Sequence, residues 1–418
     1  MHIPPVVDPV MAVNFLRELR AVWRRQHRNW RTVVIRQVFN RFFNHMTLQY
    51  SNIYIRELGA SPVEMGAVNS ASGLSTTLIS MPLGLFRDRY SVRKIYLIGV
   101  ALLTLVPLLY AVAYRWEFIA PAILISGLGM QLGSCEVICD LSLPNADRAK
   151  GKALCEGIGA LPTLFAPTVV VVLITWFGGI NTDGIRPLYW MQFLARITLF
   201  VYVALKLTEI VRPKRRLKKV SPIGDFQEVF RRGTAVKRWL LFQSLNIFTG
   251  TMMTTFRYPY AYEVKGSSQF ILGGIATAMT LTEAVFSTPL GRLADNIGRK
   301  RTFYLLTPLF CLANVLFVLA PSPEYLLLAG FLLGFRMMAA LAYGSMTPEL
   351  VPRDCIGRWR GLVGLCTGLA TIIAPIVGGL IWENLGPGWV FIIPTIIDLC
   401  LRLPLLYTVP ETLNRKTT

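Results

Sequence analysis

Apolar residues in this chain fall in long blocks separated by short polar intervals, and the blocks do not alternate between apolar and polar positions. Those at 95–113, 118–135 and 325–343 approach the ~20 residues that carry an α-helix across a bilayer. Backbone amides in lipid are satisfied only within a helix or a closed barrel, and a barrel needs short alternating segments. The pattern therefore predicts an all-α membrane protein. Its spans are expected at 33–55, 62–86, 95–114, 118–140, 153–177, 188–209, 239–262, 268–291, 302–320, 325–347, 360–382 and 388–408, twelve transmembrane helices in all.

Two spans are polar for lipid. The first carries Arg36, Asn40, Arg41, Asn44, His45 and Gln49, and the seventh carries Gln243, Asn246, Thr249 and Arg257. Helices this polar must turn a face toward protein or an internal cavity. The stretch 211–238 is the long hydrophilic interval that divides the chain. The expected organisation is a basic amphipathic cytoplasmic segment (1–32), a six-helix bundle (33–210), a basic linker (211–238), a second bundle (239–410) and a short tail (411–418). Within the first segment, residues 10–30 place Phe15, Leu19, Val22 and Trp23 on one side of a helix, suited to the lipid surface.

The chain's net charge is +20, with 53% hydrophobic and 16% charged residues over 418 positions. A nucleic-acid partner would be the first reading of so basic a protein. However, Lys and Arg collect on alternate connections: 32 lie in the two tails, the linker and the even-numbered loops. The odd-numbered loops hold only Arg56, Arg115, Arg186 and Lys265. That bias follows the positive-inside rule and predicts a multi-pass protein of the cell (plasma) membrane with both termini cytoplasmic. The charge reports topology, and no nucleic-acid partner is expected. Seven cysteines are present, with no pair on an odd-numbered loop, so no disulfide framework is expected. Cys135 and Cys139 share a helix face, but no His or third Cys lies near in sequence, and neither metal nor cofactor is expected.

The two halves repeat. A shift of 207 residues sets 65–94 on 272–301, so that Pro82-Leu83-Gly84 meets Pro289-Leu290-Gly291 and Asp88 meets Asp295. At nearly the same shift Ala166-Pro167 meets Ala374-Pro375. Parallel six-helix halves related by an axis along the membrane normal form a transporter arrangement, with the site between them near mid-membrane. The repeated loops read Gly84, Asp88, Arg89, Arg93, Lys94 and Gly291, Asp295, Gly298, Arg299, Lys300, Arg301. They resemble the signature between helices two and three, and eight and nine, of the major facilitator superfamily. The second copy keeps that family's pattern, whereas the first has Ser91 and Val92 where a glycine and a basic residue belong. The resemblance implies two pseudo-symmetric bundles of six helices, alternating access, and a monomer. It also implies that Asp88 and Asp295 help latch one conformation. The stretch Gly368 to Gly379 is similar to a motif that drug:proton antiporters carry in helix five, although here it stands in span eleven.

Ionisable residues within spans are costly and mark functional candidates. Arg41, His45, Glu283 and Arg336 fall near mid-depth and Arg257 in the outer half. Glu283 is the proton-coupling candidate, with Arg336 either switching its protonation or holding it in a static bridge. Arg41, Arg257 and Arg336 are suited to a carboxylate or phosphate. His45 is a pH-sensitive group, a substrate contact or a structural histidine. Glu136 and Asp140 relay protons or pair with Arg148, Lys150 or Lys152. Asp398 and Arg402 are spaced to pair along one helix, and Arg196 should face protein.

No nucleophile–base pair or metal cluster assembles, so an enzyme is not expected. The expected function is secondary active transport of a small organic solute, coupled to protons. An organic anion is suggested by the excess of Arg, and a lipophilic cation, as in multidrug efflux by proton antiport, by the glycine-proline stretch. A membrane sensor of transporter fold is the rival from another class.

Overall fold

A computed structural model describes residues 28–143, 151, 155, 157–159, 161–209, 235–350 and 356–411; the side chains at 78–89, 136–137, 140, 161, 288, 337, 340–345, 347–349, 356–358 and 360 are not among those described. Among the described residues there is no strand, and helix covers each of the twelve expected intervals. Among the described residues, seven helices are long and apolar enough to cross a bilayer by themselves. The amphipathic segment to residue 27 and linker residues 210–234 lie outside the described residues.

The first rod starts earlier than its hydropathy suggests. Helix α1 (Arg28–Leu48) begins where Asn29 clasps the end of span six: its Oδ1 accepts from Thr208 N and Oγ1, both at 2.9 Å. A turn at Gln49 and Tyr50 leads into α2 (Ser51–Glu57). Helix α3 (Pro62–Arg89) opens with a capping box, in which Glu64 N donates to Ser61 Oγ and Ser61 N donates to Glu64 Oε2. Helix α4 (Val92–Val112) is capped by Ser91, which accepts from Lys94 N.

Span four is not continuous. It divides at Gly133 and Ser134 into α5 (Ile119–Leu132) and α6 (Cys135–Ser142), and the Gly133 carbonyl is taken up by Arg36 at 3.0 Å. A side-chain donor of this kind lets a helix break inside a membrane. Span five, with Pro162 and Pro167, is interrupted too, and α7 (Ala166–Trp176) follows a 3-10 turn. Helix α8 (Thr182–Lys206) ends the first half.

The second half runs through α9 (Val236–Pro259), α10 (Gln269–Ile297), α11 (Arg299–Leu319), α12 (Tyr325–Leu350) and α13 (Ile356–Asn384). Span twelve comprises α14 (Trp389–Ile397), one π turn (Asp398–Arg402) and α15 (Leu403–Tyr407). Pro404, which lacks an N–H for the α-helical pattern, lies just after the π turn.

The helices form two bundles. In the first, α4 packs on α5 and α8, and α1 on α8; in the second, α12 packs on α10 and α11, and α9 on α13 and α14. The halves meet mainly along α3 and α13, with α7 against α10. Lipid is as apolar as leucine, so helices associate in it by close packing rather than by a hydrophobic drive. Glycine permits the α3–α13 approach: a Cβ on Gly66 would run into the Pro375 carbonyl oxygen, and one on Gly379 would lie 2.6 Å from that of Pro62.

The buried core shows how the halves relate. Toward the face carrying the turns at 58–61, 177–181, 265–268 and 385–388 (the distal face), one apolar cluster joins Tyr54, Tyr110 and Tyr189 to Phe256, Tyr260, Phe317 and Phe391 of the other half. Toward the opposite, terminal face the core of described side chains falls into separate clusters. Trp239, Phe303 and Trp359 belong to one cluster, Val33, Tyr96 and Val203 to another, and Trp30 and Cys139 to a third.

Candidate functional site

Each half holds a polar quartet between its first and last helices, buried except for an exposed Asn44 and a half-buried Asn246. In the second half, α9 contributes Asn246 and Thr249, and the π turn contributes Asp398 and Arg402. Arg402 Nε lies 3.0 Å from Asp398 Oδ1, which also accepts from Thr249 Oγ1 at 2.9 Å. Arg402 Nη1 donates to Asn246 Oδ1. Asp398 and Arg402 are fully buried. A fifth residue, Arg336 of α12, reaches Asp398 Oδ2 at 3.6 Å and donates to the Asn246 carbonyl at 3.0 Å. The guanidinium of Arg402 is ringed by Phe242, Phe303 and Phe310 at 5.2–5.9 Å. Gly250 leaves room for Arg336, whose Nη2 would lie 2.5 Å from a Cβ there.

In the first half, α1 contributes Asn44 and Thr47, and α8 contributes Gln192 and Arg196. Arg196 Nη2 donates to Asn44 Oδ1 at 3.2 Å and Nη1 to the Leu103 carbonyl at 2.5 Å; Thr47 Oγ1 meets Gln192 Oε1 at 3.4 Å. The two quartets correspond in sequence. Asn-x-x-Thr recurs at 44–47 and 246–249, and Gln192-x-x-x-Arg196 recurs as Asp398-x-x-x-Arg402. That pair of spacings is the signal the sequence carries for these sites, whereas depth along one helix does not reveal the neighbouring helix.

Cavities among the described residues include three along the interior. One of about 710 Å³ is bordered by the first-half quartet with Asn52, Asn69, Ser72 and Ser126. An adjoining one of about 470 Å³ shares Met130 and Ser134 with it and is lined by Arg36, Asn40 and three thiols, Cys135, Cys139 and Cys155. The third, about 260 Å³, lies in the second half against Asn246, Arg336 and Arg402. Among the described residues, no group of three or more His, Cys, Asp or Glu side chains is placed to hold a metal.

The residues singled out in the sequence are only partly brought together. Arg336 pairs with Asp398 rather than Glu283, so a static Glu283–Arg336 bridge is not what the structure holds. Thr282 on α10 bonds the Phe331 carbonyl of α12 at 3.0 Å, and one residue on, ~100° around the helix, Glu283 turns away from that contact. Glu283 is exposed and feels the charge of Arg41 from the other half. Arg41 is half-buried beside Gly159, and His45, also half-buried, lies within its field. Arg257 is buried, and its guanidinium contacts the sulfur of Met279 at 3.7 Å. The Glu136 side chain lies outside the described residues, as do those of Gly84, Asp88 and Arg89.

The second signature loop is well defined. Gly298 turns at φ 104° between α10 and α11. Lys300 Nζ caps the last helix on the Tyr407 and Val409 carbonyls at 2.7 and 2.8 Å, while its N–H meets Glu411. Arg299 is half-buried; Gly291 and Asp295 are exposed.

Hydrogen bonds between the halves gather toward the distal face. Arg56 and Glu263 form a two-pronged pair at 2.8 and 2.9 Å, Asn52 donates to the Thr255 carbonyl, and Tyr262 donates to that of Ile180. Beside them, burial and then the neighbouring Glu263 raise the Glu57 carboxyl above its ordinary range.

The family model described as Major Facilitator Superfamily matches residues 37–276 and 263–418. The chain is 30% identical over 187 residues to the "Probable actinorhodin transporter" of Streptomyces coelicolor, covering 43% of this chain and 32% of that protein. It is 24% identical over 173 residues to "Multidrug resistance protein 3" of Bacillus subtilis, covering 38% and 33%. The aligned stretches thus span about a third of these relatives' own length. Among solved structures, a mutant of the nucleoside transporter NupG superposes with a TM-score of 0.75 at 17% identity, over 90% of this chain and 99% of that one, a likeness of fold.

Proposed function

The chain belongs to the major facilitator superfamily, and we propose that it is a secondary active transporter of a small organic solute, working by alternating access and coupled to protons. The supporting observation is the asymmetry of the core among the described side chains, which is shared between halves at the distal face and falls into separate clusters toward the terminal face, with cavities along the interior. Two bundles joined at one end and parted at the other are one state of a rocking pair. With Lys and Arg concentrated on the terminal side, that face is cytoplasmic, the membrane is the cell membrane, and the state is inward-open. The halves 33–210 and 239–410 are the rocking bodies of a monomer.

The exposed Asp295 belongs to the face that is open here, so it engages as a latch when that face closes. Glu283 carries the proton. It is a carboxyl on the interior side of α10 that feels Arg41 across the interface between halves, so its surroundings change whenever the halves move. In proteoliposomes, Glu283→Gln is expected to abolish pH-driven uptake while sparing solute exchange; unchanged pH-driven uptake would remove Glu283 from the coupling step.

Multidrug efflux is the second reading. It is favoured by the relative named for multidrug resistance and by the small-residue run Gly368–Gly379 packed against α3.

A further inference from the structure

We propose that the first-half cavity binds the anionic group of an organic solute through Arg196, with Arg36 reinforcing the field. The proposal deepens the transporter reading and rests on it. Arg402 and Arg196 occupy equivalent places, each hydrogen-bonded to an Asn on the first helix of its half. Arg402 has a carboxylate at 3.0 Å, supplied one turn earlier by Asp398. At the equivalent place Arg196 has Gln192, an amide, which cannot serve as counter-ion.

Arg196 is 7% exposed, and among the described residues its guanidinium meets neutral acceptors, the Leu103 carbonyl and Asn44 Oδ1. Its Nε is buried without a hydrogen-bond partner. Arg36, 3% exposed, is in the same position, donating to the Tyr96 hydroxyl at 2.7 Å and the Gly133 carbonyl at 3.0 Å. Among the described residues neither guanidinium touches a carboxylate.

Two buried cations border two cavities that share Met130 and Ser134. An ion held in a low-dielectric interior without an opposite charge is costly, and a mobile anion entering from water removes that cost. The remaining lining fixes the rest of the solute. Asn52, Asn69, Ser72 and Ser126 offer amides and hydroxyls, and Tyr110 and Tyr189, stacked at 4.6 Å, supply an aromatic wall. The ligand class is a carboxylate- or phosphate-bearing organic molecule with a hydrogen-bonding or aromatic body.

The test is thermal unfolding of the purified full-length protein in detergent with benzoate, phenyl phosphate and the uncharged isostere benzamide. Benzoate or phenyl phosphate is expected to raise the melting temperature and benzamide to leave it unchanged; which anion acts distinguishes carboxylate from phosphate. Gln192→Glu places the missing counter-ion inside the protein. It should leave the unliganded melting temperature unchanged or higher and weaken anion binding roughly ten- to hundredfold. Arg196→Lys, which keeps the charge but loses the fork, should weaken it less.

A shift of equal size with benzamide, no shift with either anion, or an undiminished shift in Gln192→Glu would overturn the proposal. So would a shift produced by dioleoylphosphatidylglycerol and by neither soluble anion, which would make this a headgroup site. Spin-label distances between the halves are recorded on the same samples. Exchange between two states without anion binding sinks the anion assignment alone, whereas a single fixed state sinks the transport reading.

Discussion

In the second half of the molecule the central arginine comes with its own counter-ion, and Arg402, Asp398 and Arg336 form an ion-paired cluster walled by three phenylalanine rings, beside a smaller cavity of about 260 Å³. In the first half the same arginine stands against Gln192 and opens on a cavity of about 710 Å³. One duplicated scaffold thus gives two chemistries through a single carboxyl. Where it is present, the charge is answered within the fold and adds to specificity and cohesion. Where it is absent, the charge is left to be answered from the cavity. On the reading proposed above, the repeat separates a half that holds its shape from a half that recognises an anion.

The largest effect is expected from breaking the ion-paired cluster. Asp398→Asn leaves the buried Arg402 and the half-buried Arg336 among neutral acceptors, and losing one partner of a buried pair costs about 3–5 kcal/mol. Chemical unfolding in micelles should record that loss, and adding Arg402→Gln should restore much of it. A double variant as weak as the single one would mean that Asp398 does not serve Arg402.

A smaller effect should follow Gly250→Ala. The new Cβ meets Arg336 Nη2 at 2.5 Å, so the guanidinium must move off Asp398 at an overpacking cost of roughly 1–3 kcal/mol. Melting temperature reads it, and an unchanged value would mean that Arg336 is free to relocate and the cluster is looser than its distances suggest.

The smallest effect belongs where the halves touch. The Glu57 carboxyl is raised from an ordinary value of 4.5 by burial and by Glu263 in the closed distal face. A raised acid favours its protonated form, so distal closure is disfavoured at pH above the raised value and strengthens as pH falls through it toward 4.5. Spin-label distances across Arg56 and Glu263 should show a larger closed population at mildly acidic pH, flattened by Glu57→Gln. A slope that survives this substitution would place the sensitivity elsewhere.

Much of the fold was legible because the bilayer fixes how long an apolar helix must be, and the duplicated loops around Asp88 and Asp295 revealed two halves. The interruptions were not legible. Gly133-Ser134 ends a helix only because Arg36, 97 residues away in sequence, takes up the Gly133 carbonyl. The π turn at Asp398 looked like ordinary helix, although its i, i+4 pairing with Arg402 was readable and is present. Arg336 was matched to Glu283 by depth, but depth gives no azimuth, and Thr282 fixes which way that part of α10 faces. Arg196 was expected to face protein and does so, yet its relation to Arg402 needed the two Asn-x-x-Thr steps to be set side by side.

Each half is also fastened to itself. Asn29 ties the start of the first half to Thr208 at its end, and Arg238 and Lys300 grip carbonyls at Thr408, Tyr407 and Val409 at the end of the second. The ends of each bundle are thus stitched within that bundle, and the bundles contact one another through side chains and glycine-lined grooves. Covalent continuity between residues 209 and 235 then carries none of these contacts. Made as two separate polypeptides and inserted into one membrane, the halves would retain all of these contacts among the described residues, so the fold can be inherited, swapped or engineered one half at a time.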